Sequence, residues 1–427
     1  MDLKNWLWTF CGWLLSACQA TGVQSDGVPA YTETAVPVTP AVQAPLVPAA
    51  RLSFDQWIAT YQRQAAARGI SQATLQQAFA GVSLNQRVLE LDQRQPEFTR
   101  PIWEYLDNAI SDRRIANGRQ LLVQYGDLLR EVGQRFGVDP QYIVAIWGLE
   151  SDYGRAYGDF NVIEVLATLA YQGRRQDFGR EQLFAALKIL DKGDIAPSRM
   201  LGSWAGAMGH TQFIPTTYLD YAVDYDNDGK RDLWNSLSDV FASTANYLAA
   251  VGRWQMGESW GFEVRLPADF NWDLSDPTVR KPLSEWQLYG IRRIDGGDLP
   301  KSADLAAVLA PAGHRGPAFL IMDNFRAILR YNNATSYALA VGQLADRITG
   351  KSPIVANWPT SLQPLSRTHK IELQQRLKAR GYELGAVDGI VGPRTRAAVK
   401  RFQKEINEPS DGYPTVELLD KLRDFSS

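Results

Sequence analysis

Residues 138–155 read Val-Asp-Pro-Gln-Tyr-Ile-Val-Ala-Ile-Trp-Gly-Leu-Glu-Ser-Asp-Tyr-Gly-Arg, and no other stretch constrains the fold as much. Asp139 before Pro140 is a helix start: a side chain able to cap, then the one residue that loses nothing at the first turn. From Tyr142 to Leu149 the apolar run is almost continuous. A helix apolar on every side must be enclosed by other elements, so this one predicts a large core around it. Glu150 stands at its C-terminal end, with Gly154 beyond. A carboxylate there meets the negative end of the helix dipole and shares a face with Ile146 and Trp147. Both effects disfavour ionisation and predict a raised pKa, the property of a general acid that holds its proton near neutral pH. The plainer alternative is an exposed terminal glutamate. Asp152, two residues on, would point elsewhere on a continuing helix and is a poor second carboxylate.

The surrounding pattern predicts a mainly α fold of the α+β class. Phe54, Trp57, Ile58 and Tyr61 recur at helical spacing behind Ser53, a candidate N-cap. Leu121, Leu122, Tyr125, Leu128 and Leu129 form a second stripe, and residues 181–191 read as a further helix. Residues 260–300, richer in Gly, Pro and Trp, read as loops and short strands, a small β-containing insertion. Pro353 and Pro359 mark a linker at 351–365. The 427 residues suit two or three domains. Lys+Arg 45 against Asp+Glu 47 gives a net charge of −2, which makes no electrostatic case for nucleic acid as a partner.

A second stretch, Gly202-Ser-Trp-Ala-Gly-Ala-Met-Gly-His-Thr-Gln-Phe-Ile-Pro-Thr-Thr-Tyr218, packs glycines, Met208, Gln212 and Pro215 into a run that suits a loop close to a ligand. Trp147-Gly-Leu-Glu-Ser-Asp-Tyr-Gly154 together with this run closely resembles the lytic murein transglycosylase B family. Asn324-Phe-Arg-Ala-Ile-Leu-Arg-Tyr-Asn332 and Tyr337-Ala-Leu-Ala340 match a later motif of that family. The resemblance covers about residues 51–350 and implies a lysozyme-like, mainly helical catalytic domain there. It implies Glu150 as the sole acid/base, and Ser203, Met208, Gln212, Tyr247, Tyr331 and Asn332 as substrate-binding residues. For these the plainer readings are a cap for Ser203, core packing for Met208 and Tyr247, and helix contacts for Tyr331.

The mechanism so implied cleaves the bond between N-acetylmuramic acid and N-acetylglucosamine without water. Glu150 protonates the bridging oxygen, then takes the proton of the muramic C6 hydroxyl as a 1,6-anhydro ring closes. No cofactor serves this chemistry. The alternatives are a hydrolytic muramidase, which needs a second carboxylate or a positioned water, and a wall-binding scaffold without activity. Asp159 and Glu164 are the nearest further carboxylates in sequence.

Asp224-Tyr-Asp226-Asn-Asp228-Gly229-Lys230-Arg-Asp232 fits the start of an EF-hand loop: alternate oxygen ligands, a glycine at the turn, and a carbonyl from Lys230. Position twelve is Asn235 rather than Glu, which weakens affinity or shifts the closing ligand to Asp239. The loop suits a structural Ca2+; the plainer reading is an Asx-rich turn without an ion. His210, His314 and His369 form no zinc-type spacing.

Residues 366–427 hold helical stripes around a Gly/Asp turn, including Gly385-Ala-Val-Asp-Gly-Ile-Val-Gly-Pro-Arg-Thr395. They resemble the small peptidoglycan-binding domain and imply a compact three-helix unit that targets the wall. Asp388, Gly389 and Gly392 read as turn-shaping residues.

At the other end, a short apolar run closes in Leu15-Ser16-Ala17-Cys18, which resembles a lipobox. Residues 1–18 then read as a lipoprotein signal and the Pro-rich 19–50 as a tether. A cleaved secretory signal with an incidental cysteine is the alternative. Cys11 would leave with the signal, and Cys18 would be acylated, so no free thiol remains. Gln19 after the cysteine favours the outer membrane. The expected setting is the periplasm, with glycan strands as the partner and other cell-wall enzymes as further candidates.

Overall fold

A computed structural model describes residues 52–94 and 100–425. The expected signal, tether and acylated Cys18 lie outside the described residues. No helix among them is long and apolar enough to cross a membrane.

The first helix, Phe54–Ala67, starts as its sequence predicts. Ser53 Oγ accepts from Gln56 N–H while the Gln56 side chain accepts from Ser53 N–H, which satisfies two groups the helix end leaves unpaired. The central helix runs Pro140–Ser151 and is buried from Tyr142 through Ser151. It packs against the Thr335–Ile348 helix and three others, Asp112–Gln124, Gly126–Phe136 and Leu237–Ala250. Truncating Ile146, fully enclosed, to Ala would cost about 2–5 kcal/mol.

Two local expectations need correcting. Asp139 does not cap the helix it precedes. Its carboxylate instead accepts from Trp254 Nε1 at 3.0 Å and from Gly257 N–H, tying the start of the helix to a loop 118 residues away. The stripe Leu121–Leu129 is not one helix either, because the chain breaks at Tyr125 (φ −105, ψ 19). The Tyr125 ring meets Trp147 and Phe241 edge-on at 6.3 and 5.9 Å, so tertiary packing overrides the continuous periodicity. The predicted helix at 181–191 lies within Gln176–Lys192.

Glycines let the central helix approach its surroundings closely. At Gly148 an added Cβ would lie 2.7 Å from the Tyr153 ring, and at Gly118 one would lie 2.5 Å from the Tyr153 hydroxyl. Tyr153 thus fills the space between two helices and donates to the Arg114 carbonyl at 2.7 Å.

A two-stranded ribbon, β1 (Phe160–Asn161) with β2 (Leu201–Gly202), lies beside the glycine-rich loop. The insertion carries β3 (Gly261–Arg265), β4 (Lys281–Pro282), β5 (Arg292–Arg293), β6 (Leu305–Leu309) and β7 (Ala318–Ile321), antiparallel in the order β4-β6-β7-β3-β5. It has its own core around Val264, Trp286, Ile291 and Leu320. The strands extend past residue 300, further than the sequence pattern indicated.

Residues 351–365 hold no helix or strand, yet they are pinned: Val355 and Ala356 N–H bond the Glu263 carboxylate at 2.7 and 2.8 Å. Beyond them three helices, Arg367–Ala379, Pro393–Glu405 and Val416–Asp424, enclose Leu373, Leu377, Val399, Phe402, Leu419 and Leu422. Asp388 accepts from Ile390 N–H and Gly389 N–H bonds Gln374, as turn-shaping residues do. The module rests on the insertion. Asp411 accepts from His314 at 2.6 Å, Arg315 pairs with Glu417 at 2.7 Å, and Lys400 Nζ donates to the Trp272 and Ser275 carbonyls.

Candidate active site

Glu150 closes the central helix with only 7% of its surface exposed. Asp152 then turns into the left-handed region (φ 49) and ends the helix. Burial raises the Glu150 pKa to about 8, and a hydrogen bond from Tyr337 partly offsets the rise. Tyr337 Oη donates to Glu150 Oε1 at 2.5 Å from the neighbouring Thr335–Ile348 helix. At neutral pH the side chain therefore carries its proton. The apolar surroundings expected of this position supply the rise; the helix dipole, also expected to raise it, is not among the causes.

The Tyr337 ring lies parallel to that of Tyr331, with centroids 6.5 Å apart and planes at 10°. Tyr331 comes from the Asp323–Tyr331 helix and donates to the Thr211 carbonyl at 2.7 Å. Burial first, then the nearby Glu150 charge, raises the pKa of Tyr331, Tyr337 and Tyr105. The three phenols thus stay neutral near the carboxyl, and Tyr337 is the one that donates to it. Tyr105, on the Ile102–Ala109 helix, is half-buried.

Glycine geometry brings the two motifs together. Ser151 Oγ donates to the His210 carbonyl at 2.9 Å and accepts from Gly154 N–H at 3.0 Å. A Cβ at Gly154 (φ +81) would stand 2.3 Å from the His210 ring. Only glycine permits both that conformation and that approach.

Within the loop, Ser203 Oγ accepts from Ala205 and Ala207 N–H. Met208 is fully buried and its backbone bridges to Gly202 and Phe213. Gln212 is held at φ 51, strained for a residue with a Cβ, and its amide donates to the Tyr157 and Gly209 carbonyls at 2.9 Å. Tyr247 packs against Phe213, Tyr221 and Tyr331 and donates to the Arg330 carbonyl. Asn332 is 5% exposed, and its Oδ1 has no hydrogen-bond partner among the described residues. An unpaired buried acceptor costs about 1–3 kcal/mol, a cost that a ligand's N–H would remove.

The other carboxylates are engaged elsewhere. Asp152 pairs with Arg113 at 3.0 Å and Arg155 at 3.3 Å. Glu164 accepts from Ser83 and Asn85, and Asp159 is exposed. None contributes to the Glu150 shift, which burial and Tyr337 account for.

In the acidic loop, ligand oxygens of Asp224, Asp226 and Asp239 lie within 4.8 Å of one another. Asp239 is fully buried, and its pKa is pushed up to about 6 by burial, with the Asp226 and Asp224 charges adding to the rise. Three converging carboxylates with one out of water fit a hard cation. Asp228 stands outside this trio, its Oδ1 accepting from Lys230 N–H at 2.8 Å. Asn235 is used by Asp232 and Arg199, and Asp239 is the carboxylate that joins Asp224 and Asp226.

Tyr337 and Tyr105 are the site residues that sequence reasoning missed. Tyr337 was visible inside a motif, but nothing in helical spacing links it to a residue 187 positions earlier.

The transglycosylase SLT domain family matches residues 53–346, and the peptidoglycan binding domain family matches residues 370–422. The membrane-bound lytic murein transglycosylase B of Escherichia coli is 33% identical over 258 residues, 57% of this chain and 66% of that protein, just under two thirds of its length. The crystal structure of SltB3 from Pseudomonas aeruginosa in complex with NAG-anhNAM-pentapeptide matches at 55% identity and TM-score 0.85, covering 87% of this chain and 99% of that one. Escherichia coli Slt35 in complex with calcium matches at 28% identity and TM-score 0.59, covering 68% of this chain and 92% of that one.

Proposed function

From the premise that this chain belongs to the transglycosylase SLT family, we propose that Glu150 alone supplies the acid and then the base that cut the glycan strand. The chain is a lytic transglycosylase with a lysozyme-like catalytic core and a C-terminal peptidoglycan-binding domain. The observation that carries the mechanism is a buried carboxyl of pKa about 8 with a phenol partner and no second carboxylate perturbing it.

Protonated Glu150 gives its proton to the oxygen joining C1 of N-acetylmuramic acid to C4 of N-acetylglucosamine. The C1–O bond breaks, and N-acetylglucosamine leaves as the free alcohol. The muramic C6 hydroxyl then forms a bond to C1 and returns its proton to Glu150. The carboxyl ends as it began, and water is neither consumed nor released. In the middle of this cycle Glu150 is anionic, and the Tyr337 hydrogen bond stabilises that state. The anhydro-muramyl ligand named in the SltB3 complex is of the product type this cycle makes.

Ser203, Gln212 and Asn332 are the polar groups proposed to hold the sugar and its N-acetyl arm, with Met208, Tyr247 and Tyr331 shaping the cleft wall. The unpaired Asn332 Oδ1 supports a donor from the substrate there. Asp224, Asp226 and Asp239, with Asp228 and the Lys230 carbonyl, are proposed to hold a structural Ca2+, in line with the calcium complex of Slt35. The proposed setting is the periplasm, with Cys18 lipidated at the outer membrane, supported by the membrane-bound relative. The proposed domains are a signal at 1–18, a tether at 19–50, catalysis at 51–350, a linker at 351–365 and wall binding at 366–427.

The test is Glu150→Gln. This variant should sediment with sacculi and release no soluble fragments. Near-normal release would remove Glu150 from the chemistry, and release of reducing ends by the wild type would replace the mechanism with hydrolysis.

A further inference from the structure

The wall-binding module carries a groove of about 410 Å³ whose walls come from one face of its second helix and from the loop after its first. Arg394, Ala397, Ala398 and Arg401 lie at i, i+3, i+4 and i+7, so they form one stripe along Pro393–Glu405. Tyr382 and Glu383 face them from the loop. The two alanines keep the floor low, and the arginines stand at either end. Gly385, at φ +83, leaves room for Arg394: an added Cβ would come within 3.3 Å of its guanidinium.

The arginines of this module differ in how they are used. Arg376, Arg380 and Arg423 are each tied to a glutamate. Arg367 reaches the Asp388 carbonyl, and Arg396, also exposed, interacts electrostatically with Asp411 and Tyr413. Arg394 and Arg401 are exposed and make no hydrogen bond or ion pair with any described residue. Two guanidinium groups left without a hydrogen bond or ion pair among the described residues therefore line the groove, one at each end of its helical stripe.

We propose that this groove binds the peptide stems of peptidoglycan through their carboxylates, with Arg394 and Arg401 as paired anchors. The proposal rests on the module being a wall binder. The glycan backbone carries N-acetyl and hydroxyl groups, whereas the free carboxylates of the polymer sit on its stems. A guanidinium matches a carboxylate with two parallel hydrogen bonds. Seven helical residues place the two anchors about 10 Å apart along the axis, the length of about three extended residues. That spacing suits two carboxylates on one extended stem. Glu383, on the opposite wall, offers a partner for a stem's free amino group, and the Tyr382 ring borders the apolar floor.

The full chain is titrated with a fluorescent wall-derived stem peptide, and with the same peptide amidated at its carboxylates. The free stem should bind at least about tenfold more tightly than the amidated one. Arg394→Ala with Arg401→Ala should remove that preference, and the Arg394→Lys, Arg401→Lys pair should retain part of it. Equal binding of free and amidated stems, or a preference that survives in the alanine pair, would overturn the proposal. So would a wild type that ignores both peptides. Should the alanine pair fail to fold, the comparison of free with amidated stem on the wild type still decides. Sedimentation of the wild type with sacculi separates the two failures. Retention on sacculi without stem binding sinks the groove alone, and loss of both sinks the wall-binding reading with it.

Discussion

Glu150 and Asp239 are both carboxylates buried on helices, both shifted upward by loss of water, and yet their neighbourhoods suit them to different jobs. Glu150 meets a neutral phenol and no charge strong enough to register in its shift. Asp239 accepts two backbone N–H groups, from Tyr225 at 2.7 Å and Asp232 at 2.8 Å, and faces Asp224 and Asp226. The first is relieved of its burial by holding a proton, the property the proposed acid needs. The second sits in a cluster of like charge, which a cation relieves better than a proton does. Burial sets the stress on a carboxyl, and the neighbours decide what answers it.

The comparison breaks first at Glu150. Glu150→Gln keeps the shape and loses the proton, so turnover should fall by about 10³-fold or more, measured as soluble fragments released from sacculi. Tyr337→Phe should lower kcat by about 10–10²-fold with KM little changed. Tyr337 now lowers the Glu150 pKa, so its loss moves the alkaline limb of the pH profile upward from about 8. A Tyr337 that only packs would leave that limb in place.

On the acidic side, chelation should lower Tm by about 5–10 °C for a cation bound well above its Kd. Asp239→Asn should show no further loss with chelator. Since Asp239 takes up a proton below about 6, the chelator effect should be larger at pH 7 than at pH 5. A melting curve indifferent to chelator at both would leave the trio without an ion. The smallest effect concerns stability at Glu150. Its pKa is raised on folding, so the unfolded chain releases a proton from about pH 4.5 upward while the folded one keeps it until about 8. Stability from this group thus falls across that window. Glu150→Gln should remove the slope and raise Tm at pH 7, by about 2–4 °C per kcal/mol recovered.

What the sequence disclosed is local. The buried helix ending in Glu150, the glycine-rich loop and the alternating aspartates are patterns within about fifteen residues, and each follows from spacing and residue type. What it concealed is tertiary. Tyr337 reaches Glu150 across 187 positions, Asp139 serves a distant loop rather than its own helix, and Tyr125 breaks a stripe that periodicity alone continues. The docking of the wall module through His314–Asp411 and Lys400 likewise leaves no trace in composition.

The central claim is that one protonated carboxyl cuts the strand and water takes no part. Digestion of sacculi in heavy-oxygen water, with the fragments weighed by mass spectrometry, tests it directly. The account predicts anhydro-muramyl ends free of the heavy isotope; reducing ends that carry it would contradict the account.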